Sequence, residues 1–168
     1  MKVKKFEEIW LEKIQRLRTS GRDRAAVFVT RLGNGGAVWV LIAVIMLAVP
    51  GYRAGGRGII LSLISSVFWG NLVLKNAVAR ERPCWKNPQV PLPIEVPADY
   101  SFPSGHTMAS FAAATAIFDV NVWMGLAAFV LAAAIGFTRL YLYVHYPLDI
   151  IMGTALGIVV ALPVCIFF

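Results

Sequence analysis

The sequence predicts an all-α fold: an integral-membrane helical bundle of about five transmembrane helices, with an interfacial amphipathic helix in front of it. Of its 168 residues, 58% are hydrophobic, and the mean hydropathy is +0.69. A soluble domain holds only about 45–50% apolar residues. Charge is also segregated. Lys2, Lys4, Lys5, Lys13, Arg16, Arg18, Arg22, Arg24 and Arg31 crowd the N-terminal part, and no charge follows Asp149. The net charge of +7 therefore describes a basic end on an apolar body. In a soluble chain such a balance would point to nucleic acid. Here the cations flank apolar runs, so the expected partners are anionic membrane lipids and not nucleic acid.

The chain reads as one membrane domain over 1–168, with an amphipathic segment at 1–32 and a bundle at 37–168 that carries a loop at 80–103. Glu7 and Glu8 stand where a secretory signal would begin its apolar core, so the first segment is expected to be retained. Phe6, Ile9, Trp10, Lys13, Ile14 and Leu17 recur at helical spacing, as in an interfacial helix lying on the membrane, or one packed on a partner or on the protein itself. The first apolar stretch, Ala37 to Val49, is short for a span of ~20 residues. Ala25–Leu32 is set off from it by Gly33, Gly35 and Gly36. Gly58–Ala79, Ser104–Phe118, Val122–Tyr143 and Pro147–Phe168 come next, the last with proline suited to a first helical turn. Between the second and third, Arg80–Phe102 holds Pro83, Pro88, Pro91, Pro93 and Pro97, and is expected to cap the bundle without forming a helix. Gly153 and Gly157 have the spacing of a close helix contact. Cys84 and Cys165 read as free thiols, and Trp85 and Tyr100 as interfacial aromatics near the pocket mouth.

Polar residues at the ends of membrane helices are costly and mark function. Lys75 and Arg82, then Ser104, Gly105 and His106, then Arg139, His145 and Asp149 all fall at span ends on one face. Taken singly, each cluster also reads as a snorkelling cation, a capped helix start or an interfacial histidine. Together they contain both histidines of the chain and converge on one pocket. Lys75, Arg82 and Arg139 offer charge and forked donors to an oxyanion. Ser104 and Gly105 add a hydroxyl and backbone N–H groups at a helix N-terminus. Asp149, four residues after His145, can hold its imidazole in one tautomer, making His145 a nucleophile and His106 an acid.

Lys75-x6-Arg82-Pro83, Pro103-Ser104-Gly105-His106 and Arg139-x5-His145-x3-Asp149 resemble, in order and spacing, the three signature motifs of the type-2 phosphatidic acid phosphatases, or lipid phosphate phosphatases. The resemblance covers Lys75 to Asp149. It implies a helical membrane enzyme without cofactor or metal that hydrolyses a lipid phosphomonoester or pyrophosphate. It also implies a phosphohistidine at His145, a proton donor at His106, and phosphate binding by Lys75, Arg82, Ser104, Gly105 and Arg139. Candidate substrates are phosphatidic acid, phosphatidylglycerol phosphate and undecaprenyl pyrophosphate. Thr138 stands where the family usually has serine before the arginine, and five spans are counted where many members have six.

Two other classes compete. A phosphate-lipid or anion transporter would use the cations for binding alone, but has no need of His106, His145 or Asp149. A vanadate-dependent haloperoxidase would share the oxyanion pocket, but that group is soluble. The expected location is the cell membrane, multi-pass. With an odd number of spans, the positive-inside rule puts the site in the cytoplasm, whereas the resemblance implies the outer face and is the reading adopted. The clusters hold cations where a two-metal phosphatase needs carboxylates, so hydrolysis in excess EDTA is expected to match the untreated rate. Loss in chelator that magnesium or zinc restores would overturn this.

Overall fold

The computed structural model describes residues 2–167, with side chains from Phe6 onward. Helix α1 (Lys2–Gln15) turns Glu7, Leu11 and Ile14 inward and leaves Phe6, Ile9 and Trp10 about half exposed. It therefore packs on the protein, one of the arrangements its spacing allowed, and presents a second apolar face outward. The Gln15 side-chain amide donates to the carbonyls of Leu140 (3.3 Å) and Tyr141 (3.1 Å), fixing the end of α1 to the end of a later helix. The amphipathic segment then breaks, and Thr19 caps α2 (Ser20–Leu32) by accepting from the Arg22 N–H. A single turn at Asn34–Gly36 comes after it, with φ of +58° at Gly35 and +72° at Gly36, values that favour glycine. Through this corner α3 (Ala37–Ala48) departs at 48° to α2.

Helix α4 (Arg53–Ser66) continues without interruption through a π-helical stretch, Val67–Leu74, into α5 (Lys75–Val78). Such a stretch shifts the register of the helical residues beyond it. Here Asn71 and Lys75 end beside the start of α7: a Cβ placed on Gly105 would lie 2.8 Å from Asn71 Oδ1 and 3.6 Å from Lys75 Nζ. The proline-rich segment is irregular except for one turn, α6 (Pro83–Lys86). That turn departs from the expectation of no helix, and is tolerated because Pro83 occupies the first position, where a missing N–H costs nothing.

Helix α7 (Gly105–Val120) is the axis of the bundle, packed by α4, α8 (Val122–Tyr141) and α9 (Pro147–Phe167). Its core side, Met108, Ala112, Ala113, Ala114 and Ile117, is buried. Trp39 of α3 donates its indole N–H to Ser110 Oγ at 2.9 Å, satisfying both polar groups in an apolar core. By length and composition, Val122–Tyr141, Pro147–Phe167 and the run within Pro50–Lys86 can cross a membrane. The bent pair Ser20–Leu32 and Asn34–Ala48 makes a fourth if it counts as one span. The 16 residues of α7 measure about 24 Å at ~1.5 Å per residue. It is enclosed by longer neighbours. The five helices α3, α4–α5, α7, α8 and α9 alternate in direction. As a result α1, α2 and the proline-rich segment share one end with the predicted site, and an outward site would carry the basic N-terminal helices outward with it.

Small residues let α9 approach α7. A Cβ on Gly157 would lie 2.4 Å from the Met108 carbonyl oxygen, a contact only backbone movement could relieve. Gly157→Ala is therefore expected to cost roughly 1–3 kcal/mol, lowering the thermal midpoint in detergent by at least about 3 °C. Gly21→Ala, where nothing lies within 4 Å of the added carbon, is the control that should leave it unchanged. Equal midpoints for the two variants would show that α7 and α9 are less tightly apposed.

Candidate active site

A cavity of about 580 Å³ opens at the end of the bundle where α5, the start of α7, the end of α8 and the α2–α3 corner meet. Of the residues singled out in the sequence, Lys75, Arg82, Gly105, His106, Arg139 and His145 line it. Ser104 and Asp149, both completely buried, sit behind the wall. Ser104 caps α7: its Oγ accepts from the Thr107 N–H (3.4 Å) and Thr107 hydroxyl (2.9 Å), and its own N–H donates to the Asp149 carbonyl (3.1 Å). It thus shapes the helix end that meets the cavity, and does not line it.

Arg82 organises the centre. Its Nε donates to the Asp99 carbonyl (2.6 Å) and one Nη2 hydrogen goes to the Asp99 carboxylate (2.7 Å). Its Nη1 reaches the Val144 carbonyl (2.8 Å) and His145 Nε2 (3.0 Å). Because guanidinium only donates, Nε2 must be the acceptor and the ring proton sits on Nδ1. That nitrogen lies 3.5 Å from Asp149 Oδ2, longer than a hydrogen bond, as is common in unliganded sites. Asp149 is held in place by the Tyr146 N–H on Oδ2 (2.8 Å) and Arg80 on Oδ1 (2.7 Å). Burial, then the charges of Arg82, Arg139 and Lys75, push the His145 pKa well below its ordinary value, so the ring is neutral with a lone pair at neutral pH.

The α2–α3 corner supplies two residues that sequence reasoning missed. Thr30 Oγ1 accepts from Arg139 Nη1 (2.7 Å), and Asn34 Oδ1 lies 2.8 Å from His106 Nε2. Arg139 lines the cavity with only its Nη1 donation to Thr30 made within the protein, so its guanidinium keeps further donors for an anion, while its Nε is buried without a partner among the described residues. Asp99 was also missed. It pairs with Lys75 and Arg82 while staying more than half exposed at the cavity mouth. The only signal for Asn34 was its place in a glycine-rich break, and nothing in sequence marked Asp99. Among the described residues, no three His, Cys, Asp or Glu side chains gather as metal ligands would. Cys84 and Cys165 are both free, and Trp85 meets Tyr100 edge-on at 6.0 Å beside the mouth.

The profile of the PAP2 superfamily matches residues 56–168, which hold every predicted site residue. The chain belongs to the PAP2 superfamily. It is 32% identical over 133 residues to an undecaprenyl-diphosphatase of Sulfolobus acidocaldarius, covering 78% of this chain and 63% of that protein. It is 33% identical to a decaprenylphosphoryl-5-phosphoribose phosphatase of Mycolicibacterium smegmatis, covering 74% of this chain and 67% of that one. The chain thus spans about two thirds of the length of these relatives. Its fold matches the crystal structure of Aquifex aeolicus LpxE with a TM-score of 0.82 at 22% identity, over 96% of both chains. Like other membrane-bound members of the PAP2 superfamily, this is a multi-pass membrane protein of all-helical fold.

In this PAP2 chain Asp99 occupies the cations an oxyanion would use. Partial burial opposes its ionisation, yet Lys75 and Arg82 bring its pKa down to about 2. A depressed carboxylate stabilises the fold above its unfolded value of 3.8 and loses that contribution as pH falls toward 2, so the pair persists at any neutral pH. Exposed pairs are worth up to about 1 kcal/mol. Asp99→Asn is therefore expected to tighten vanadate inhibition by up to roughly fivefold. Weaker inhibition would show that the carboxylate supports the anion site and does not compete for it.

Proposed function

We propose that this chain hydrolyses the phosphomonoester or pyrophosphate of a membrane lipid, with a polyprenyl phosphate or pyrophosphate as the substrate class, through a phosphohistidine on His145. The observation that carries the reading is the setting of His145. His145 lines a cation-lined cavity, its Nε2 lone pair accepts from Arg82 Nη1 at 3.0 Å, and its Nδ1 proton is backed at 3.5 Å by the buried carboxylate of Asp149. The substrate class rests on two relatives named for polyprenyl phosphates. The lipid tail would stay in the bilayer while the headgroup enters from the membrane boundary.

In the first step the Arg82 Nη1 hydrogen turns from Nε2 to a phosphoryl oxygen, the freed Nε2 attacks phosphorus, and the bond to the leaving oxygen breaks. Charge growing on the phosphoryl oxygens is met by Lys75, Arg82, Arg139 and the N–H groups at the start of α7. Positive charge growing on the imidazole is met by Asp149. His106, oriented by Asn34 and protonated once the bound phosphate offsets the cations around it, gives that proton to the leaving oxygen. In the second step water attacks the phosphohistidine, His106 takes up the water's proton, and inorganic phosphate leaves. No step uses a metal.

The roles of the two histidines divide experimentally. His145→Ala should abolish both turnover and the labelled phosphoenzyme trapped by a rapid denaturing quench. His106→Ala should be slow on a lipid substrate but regain much of its rate on p-nitrophenyl phosphate, whose leaving group needs no proton. Equal labelling of wild type and His145→Ala, or rescue of His145→Ala by the better leaving group, would reverse or defeat the assignment.

A further inference from the structure

Behind His145 a chain of charges leads away from the cavity and ends on the N-terminal helix. Asp149 Oδ1 accepts from Arg80 Nη1 at 2.7 Å, and Arg80 Nη2 donates to Glu7 Oε2 at 2.6 Å. Glu7 is 4% exposed, an unusual burial for a carboxylate, on the inward face of α1 with Leu11 and Ile14. Its second oxygen accepts from the Leu148 N–H (3.2 Å) in the first turn of α9, the turn that carries Asp149. The Arg80 guanidinium lies over the Tyr146 ring at 4.1 Å from its centre, which limits the plane of its fork. Arg80 does not line the cavity, so it cannot serve as a fourth phosphate ligand, and the catalytic scheme above gives neither it nor Glu7 any part.

Two carboxylates share one guanidinium here, and each pairing limits the freedom of the other. Without Glu7, Arg80 keeps its stacking on Tyr146 but loses the contact that turns its fork toward Asp149. Without Arg80, the buried Asp149 carboxylate loses its only charged donor and keeps just the Tyr146 N–H and the Ser101 hydroxyl, so it is freer to rotate away from Nδ1. Catalysis is sensitive to displacements of this size, since a shift of about 1 Å in a positioned group can cost on the order of 10²-fold in rate. We infer that Glu7 and Arg80 are positioning residues, and that helix α1, seated on the catalytic face by Glu7, fixes the carboxylate that orients His145. The inference rests on the reading of His145 as nucleophile.

The test uses the full chain in detergent, with p-nitrophenyl phosphate turnover and vanadate inhibition measured side by side. Glu7→Gln and Arg80→Met should each lower kcat roughly 10- to 100-fold. KM and the vanadate inhibition constant should stay within about twofold of wild type, because the cation-lined cavity is untouched. Arg80→Lys should recover only part of the rate, since one ammonium does not reproduce a fork that spans two carboxylates. The double variant Glu7→Gln/Arg80→Met should be no slower than Arg80→Met alone, because both act through one carboxylate. Wild-type kcat in Glu7→Gln, loss of vanadate binding in step with kcat, or multiplying effects in the double variant would each overturn the inference. His145→Ala, run in parallel, keeps the two readings apart. An inactive His145→Ala beside a fully active Glu7→Gln defeats the positioning role alone, whereas an active His145→Ala defeats the nucleophile assignment beneath it.

Discussion

Lys75, Arg82 and Arg139 are held together at the end of a membrane bundle, where three like charges repel one another with little water to screen them. The rest of the catalytic end is arranged around that repulsion. Asp99 comes down from the proline-rich segment to pair with two of the cations, and Thr30 reaches from α2 to take a hydrogen of the third. The carbonyls of Asp99, Val144 and Tyr100 absorb further donors of Arg82. Burial, reinforced by the same field, keeps His145 neutral. On the proposed reading, an entering phosphate would take the place of the Asp99 carboxylate on these cations.

The motif residues were legible because a membrane imposes a strict rule: charge at the end of an apolar run has a reason. Lys75, Arg82, His106, Arg139 and His145 stand out against runs of alanine, valine and leucine, and their spacing sets them on one face. Ser104 belongs to the same motif, yet its hydroxyl turns inward to Thr107, a choice that depends on the cap geometry of α7 and not on composition. Thr30 and Asn34 were hidden for another reason. Their approach depends on the 48° corner between α2 and α3, and the glycines that permit this corner do not encode its direction. Glu7 was read only as an interruption of apolar character, since its partner lies more than seventy residues away.

The fold was legible at the level of class and less so in its pieces. Hydropathy located the apolar runs, while the depth of α7 at the bundle centre comes from its alanines, which carry little hydropathy but allow α4, α8 and α9 to close around it. The unbroken passage from α4 through the π-helical stretch to α5 was also beyond a periodicity reading. Its shifted register places Lys75 against Gly105, where a side chain would collide with Asn71.

The alternating direction of the five bundle helices links the sidedness of the chain's two terminal helices to that of the reaction. Helix α1 lies on the face that holds the cavity, and α9 carries the chain from that face to the other, where Val164 and Cys165 lie near Ala54 and Asp119. A protease site or reporter placed next to α1 would therefore read the compartment toward which the cavity lies. The same reporter placed after α9 would read the opposite compartment, so the two together would orient the enzyme without any measurement of catalysis.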